Sequence, residues 1–102
     1  MTTKNENTLP KREYAFVVTA KYGLTATKSH LLIKTIQTLG CKYTVESNGK
    51  TAEGSSIMEV LVLGMECGTQ GKIIFSKPIH PADLWKLPDI HDVVEFDLPR
   101  AL

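Results

Sequence analysis

The chain has 102 residues, 42% of them hydrophobic and 23% charged, with a net charge of +1, which suits one globular domain built around one core. Near-neutral charge removes the electrostatic case for nucleic acid or an anionic membrane as partner. No apolar run approaches the roughly 20 residues of a membrane span, and residues 1–13 are polar and of mixed charge, without the apolar stretch of a secretory signal.

Residues 1–12 read as a flexible leader. Residues 13–19 (EYAFVVT) are β-branched and aromatic and read as a strand. Tyr14, Phe16 and Val18 alternate with Ala15 and Val17, so the second face is also apolar in part. Lys21-Tyr22-Gly23 breaks the strand. Residues 25–39 then read as a helix with one apolar stripe through Ser29, Leu32, Ile33, Ile36 and Leu39. Thr25 is its expected N-cap and Gly40 its stop, with Leu31 off the stripe.

Residues 41–47 form a second expected strand and residues 50–53 a short third. Between them, Asn48-Gly49 is the strongest short-range hairpin signal, because a type I′ turn needs two residues at positive φ. Residues 56–65 read as a second helix opened by a capping box, with Ser56 as N-cap and Glu59 at N3. This helix is apolar on two sides: Ile57, Val60, Leu63 and Gly64 on one, Met58, Val62 and Met65 on the other. Such a helix is expected to be covered twice, by its own sheet and by either the C-terminal segment or a partner.

Residues 72–76 (KIIFS) are the fourth expected strand. The tail, residues 77–102, carries Pro78, Pro81, Pro88 and Pro99. Within it, residues 81–87 read as two helical turns with Pro81 at N1 and Pro88 as the stop, and residues 91–97 as a short extended piece. Trp85, Leu84 and Leu87 are expected to dock on the body. The order β-α-β-β-α-β is the split βαβ pattern, an α+β fold with an antiparallel sheet and helices on one face.

Cys41 and Cys67 are far apart and form no C-x-x-C. They read as reduced thiols of a cytoplasmic protein, with a disulfide or reactive thiol as the alternative. His80, Asp83, His91 and Asp92 match no compact zinc spacing, and no nucleophile-elbow, zincin or P-loop motif occurs, so neither metal nor cofactor is expected.

Four short matches give the chain a family resemblance: Tyr22-Gly23-Leu24 before the first helix, the run TVESNGK over residues 44–50, Ser56-Ile57-Met58, and Leu63-Gly64. They are collinear, and together the chain resembles the HPr family over residues 13–76. These are the small histidine phosphocarriers of the sugar phosphotransferase system. The resemblance implies an open-faced β-sandwich with a four-stranded antiparallel sheet, and residues 77–102 packing on the same domain. The family ends in one long amphipathic helix, which four prolines make incompatible with this tail.

The family's phosphorylated histidine directly follows the Gly-Leu pair. Thr25 stands there in this chain, with Thr27 and Lys28 in place of the usual arginine and proline. A phosphohistidine is high in energy and transfers its group readily, whereas a threonine ester is stable. The resemblance therefore implies a non-enzymatic variant without the shuttle. His30 lies more than a turn inside the helix and is a poor substitute. Ser56 falls on the family's regulatory serine, which a dedicated kinase modifies in some members; the alternative is a serine that merely caps. The family's docking patch corresponds here to Leu24, Ile57, Met58 and Leu61, the alternative being that Ile57 and Leu61 flank the core and the tail covers Met58. The expected partners are proteins of the phosphotransferase system, a serine kinase or a regulator, with the chain a monomer or weak homodimer. Two other readings stay open: a phosphocarrier using another residue, and an oligomerising structural module.

Overall fold

The structure, a computed structural model, describes residues 10–87, 90 and 92–98. Its elements run β1 (Lys11–Val18), α1 (Ala26–Gln37), β2 (Tyr43–Ser47), β3 (Lys50–Glu53), α2 (Ile57–Val62), β4 (Gln70–Ile79), α3 (Pro81–Trp85) and β5 (Val94–Phe96). The strands form one antiparallel sheet in the order β3-β2-β4-β1-β5. Five strands are present where four were expected, because the tail returns and pairs Val94–Phe96 along the outer edge of β1.

Strand alternation builds the core. Tyr14, Phe16 and Val18 of β1, Tyr43 and Val45 of β2, Ala52 of β3, and Ile73 and Phe75 of β4 are all buried. The register pairs Tyr14 with Ile73, Ile73 with Val45, and Val45 with Ala52, so these side chains share one face. Leu32, Ile33 and Ile36 of α1 and Val60 of α2 join them in a single cluster, and α1 and α2 pack against each other. Burying such side chains is worth about 1.5–3 kcal/mol each. The opposite face carries Ala15, Gln70 and Lys72, all exposed, with Val17 half-buried.

Asn48 and Gly49 sit at φ 53° and 78°, the type I′ geometry that their sequence demands. The β4 strand runs longer than the expected 72–76. Pro78 fits inside it because the β1–β4 register shifts between Glu13↔Ile74 and Lys11↔Ile79, leaving a bulge that asks nothing of a proline nitrogen. The strand expected from Cys41 begins only at Tyr43, and β1 starts at Lys11, inside the expected leader. Helix α2 ends at Val62 rather than at residue 65: Leu63 is its C-cap and Gly64 turns to φ 63°.

The tail packs onto the body. Pro81 opens α3 at N1, and the imidazole of His80 accepts from the Ala82 N–H at 3.0 Å. Pro81, Leu84, Ile90, Val93 and Val94 are buried, while Trp85 stays substantially exposed, contrary to its expected docking. The expected Pro88 stop and His91 lie outside the described residues.

Candidate functional site

The start of α1 is held by backbone rather than by reactive side chains. Gly23 is buried at φ +80°, and a Cβ there would stand 2.8 Å from the Met65 carbonyl. Only glycine satisfies both constraints. The Leu24 N–H donates to that same carbonyl at 2.9 Å, which ties the turn before α1 to the segment after α2. Ser29, fully buried, donates its hydroxyl to the Leu24 carbonyl. Thr25 is left exposed as the N-cap, its Oγ1 accepting the Lys28 N–H at 3.3 Å.

This hydroxyl is poorly placed for nucleophilic chemistry. An alcohol needs a base to take its proton, and among the described residues no carboxylate or imidazole hydrogen-bonds to Thr25. Lys28, in the first turn, is paired with Asp92 of the tail at 3.3 Å. Thr27 and His30 are exposed on the helix. The structure therefore places three of the residues singled out by position, Thr25, Thr27 and Lys28, on one exposed helical turn with an acidic tail residue beside them.

The second cluster lies where β3 hands over to α2. Gly54 packs flat on the ring of Tyr43; a Cβ at Gly54 would stand 2.2 Å from it. Ser56 is the N-cap as expected, its Oγ accepting the Glu59 N–H at 3.2 Å. The reciprocal half of the box is displaced. Glu59 Oε1 accepts from the Glu53 N–H at 2.9 Å, while the Ser56 N–H donates to the Glu53 carbonyl. The cause is local: Glu53 lies on an edge strand, so its amide is unclaimed by the ladder and competes for the carboxylate. Ser55 Oγ also donates to Glu53 Oε1 at 2.8 Å. Two carboxylates thus surround the Ser56 turn.

Beneath it, the buried Tyr43 hydroxyl has no hydrogen-bond partner among the described residues, and burial pushes its pKa far above the ordinary 10.0. Burial also raises that of Tyr14, whose hydroxyl donates to the Ile79 carbonyl.

Of the four docking residues expected by position, Leu24 is only 7% exposed and belongs to the core. Ile57 and Leu61 are half-buried, and Met58 is 73% exposed. The tail's described strand pairs with β1 and Met58 stays uncovered, so of the alternative reading Ile57 does flank the core while the covering of Met58 is corrected. Val62, equally exposed at 73%, extends the patch. Its signal was present in the two-sided wheel of the helix, but position alone did not select it. Tyr22, 81% exposed before α1 with Lys21 Nζ 5.5 Å from its ring centroid, was also missed; nothing in its local pattern marked it as exposed.

Cys41 and Cys67 are free thiols. Among the described residues no three His, Cys, Asp or Glu side chains gather as a metal site, and no helix is long and apolar enough to cross a membrane.

The family model described as the PTS HPr component phosphorylation site matches residues 13–87. Three solved structures are similar in fold. The phosphocarrier protein HPr from Bacillus anthracis str. Ames is 23% identical with a TM-score of 0.62, over 72% of this chain and 87% of that one. The histidine-containing phosphocarrier protein of Mycoplasma is 26% identical with a TM-score of 0.57, over 71% and 80% respectively. HPr-C-His from Thermoanaerobacter tengcongensis is 23% identical with a TM-score of 0.63, over 74% and 84%. No curated protein sequence matches the chain significantly.

Proposed function

The chain belongs to the HPr family of the phosphotransferase system, and on that premise we propose that it no longer relays phosphoryl groups and acts instead by binding protein partners. The family consists of phosphocarrier proteins rather than catalysts, so loss of the relay leaves recognition as the remaining function. The observation that carries this reading is Thr25. It stands directly after Gly23-Leu24 at the exposed N-cap, the position that the family resemblance gives to the phosphorylated histidine. Incubation with phosphoenolpyruvate and the general phosphotransferase enzyme should leave the protein unlabelled. An acid-labile phosphohistidine, on His30 or elsewhere, would overturn the proposal and restore the reading of a carrier using another residue.

The partner surface is the outer side of α2, with Met58 and Val62 exposed and Ile57 and Leu61 half-buried at their flanks. Methionine suits such a surface because its unbranched chain adapts to what it meets. The partners are proteins of the phosphotransferase system, a serine kinase or a regulator, in the cytoplasm. The same exposed face supports self-association as a second reading. Sedimentation over a range of concentrations separates the two, because a strict monomer at high concentration removes it.

A kinase acting on Ser56 would switch this surface. Phosphorylation replaces the acceptor of the Glu59 N–H and adds negative charge beside Glu53 and Glu59. Helix α2 has only six residues, so its dipole offers little compensation. The modification therefore loosens the first turn of α2 and lowers partner affinity. Label from ATP should vanish in Ser56→Ala; label that persists there rejects the switch at this residue.

A further inference from the structure

The sheet face turned away from α1 and α2 bears a groove of about 810 Å3. Its floor is low: Ala15 and Val17 of β1 lie beside Gln70 of β4. Its walls are acidic. Glu95 and Asp97 stand at the β5 side, and Glu46 of β2 stands at the other. Register places these residues on one face, since Val17 pairs with both Gln70 and Glu95, and Lys72 pairs with both Ala15 and Glu46.

The charge balance is local. Among the described residues the lining holds one cation, Lys72, and its ammonium is already shared between Glu13 at 3.4 Å and Glu46 at 3.6 Å. Those carboxylates raise its pKa, the Glu13 hydrogen bond foremost. Among the described residues Glu95 and Asp97 have no ion-pair partner. The whole chain carries +1, so the acidity of this face runs against the net charge. The β5 wall, residues 94–96, also lies beyond the 13–87 match to the family.

We infer that this groove docks an extended basic segment of a partner protein. Charge complementarity selects the sign. The dimensions select the form: from β5 across β1 and β4 to β2 is three strand spacings, about 14 Å, which an extended chain covers in about four residues. Side chains at i and i+4 of a strand point the same way. An arginine or lysine at each of these positions would meet the unpaired Glu95 and Asp97 at one end and at the other Glu46, where it competes with Lys72, with a small apolar residue at i+2 over Ala15 and Val17.

The probe is a labelled peptide with an Arg-Ala-Val-Ala-Arg core, measured by fluorescence anisotropy with the full chain at low salt. Saturable binding is expected, weakening about tenfold when Glu95→Gln and Asp97→Asn are combined, and fading as salt rises. On the unaltered chain, NMR amide shifts should map to Ala15, Val17 and Gln70, which keeps the test valid if the variant folds poorly. No binding, equal binding by the Glu-Ala-Val-Ala-Glu counterpart, or shifts confined to α2 would overturn the inference. Spermine producing the same shifts at equal affinity would overturn it in favour of a small polycation, and self-association that buries this face would overturn it in favour of a second copy. Neither Thr25 nor Ser56 contributes to the groove, so its failure is distinguishable from failure of the proposed loss of relay.

Discussion

Tyr43 and Gly54 show how much a single residue decides here. The Tyr43 hydroxyl is buried without a partner among the described residues, and an unsatisfied polar group in a core is a standing penalty. Tyr43→Phe should therefore raise stability by about 1 kcal/mol at neutral pH, whereas Tyr14→Phe, which gives up the bond to the Ile79 carbonyl, should lower it by about the same amount. Urea denaturation of the pair reads both signs. The pH dependence follows from the same burial. The folded pKa of Tyr43 stands above its unfolded value of 10.0, so the native protein keeps a proton that the unfolded chain releases. Stability is complete below about pH 10 and falls as pH rises beyond it. Tyr43→Phe should flatten that alkaline decline, and an unchanged slope would refute the assignment. Gly54→Ala should cost about 2–3 kcal/mol, because its Cβ would strike the buried Tyr43 ring carbons at 2.2 to 2.5 Å. Tyr43→Phe should not relieve it, since those carbons remain. None of this was legible in the sequence. Tyr43 lies in the expected second strand, but the missing partner and the glycine beneath its ring arise from contacts that no local pattern encodes.

At the scale of the element, legibility tracked locality. The Asn48-Gly49 turn, the Thr25 and Ser56 caps and the inward stripe of α1 from Ser29 to Ile36 are each set by neighbours within four residues and appear as read, whereas α1 ends at Gln37 and leaves Leu39 beyond it. Thr35, buried in α1 beside Ile36, was not anticipated, since nothing about a threonine marks an inward position. The capping box failed on its long side because Glu59 found a better-placed amide on edge strand β3. Ser56→Ala should accordingly destabilise the protein by about 1 kcal/mol, through loss of the acceptor for the Glu59 N–H. Glu59→Gln keeps an oxygen for the Glu53 N–H and should cost less than Glu59→Ala. If the two Glu59 variants melt alike, the observed bond contributes nothing. By contrast Met58→Ser and Val62→Ser, both on the solvent side of α2, should leave stability within about 0.5 kcal/mol of the parent. A pull-down or titration with a phosphotransferase-system partner should show binding lost in both.

For the molecule as a whole, the sequence pattern predicted four strands because it placed the tail on the domain without pairing it to the sheet. Residues 91–97 were read as extended, yet an extended piece becomes a strand only if an edge is free, and the free edge of β1 is a property of the assembled sheet. Once paired, the tail is part of the core: Ile90, Val93 and Val94 are almost fully buried, and the Thr19 and Ala20 N–H groups both donate to the Val93 carbonyl. Burial of three aliphatic side chains is worth on the order of 5 kcal/mol, which is comparable with the entire stability of a domain at the low end of the usual 5–15 kcal/mol range. Truncation after Leu87 would remove all three, uncover the β1 edge and leave buried Phe16 without its edge-to-face contact to Phe96. The shortened chain should then be largely unfolded at 37 °C, or soluble only as associated species paired through β1. Circular dichroism on heating, with sedimentation at matched concentration, distinguishes these from a native-like monomer. A cooperative melt within a few degrees of the full chain would mean that the fifth strand decorates the fold rather than completes it.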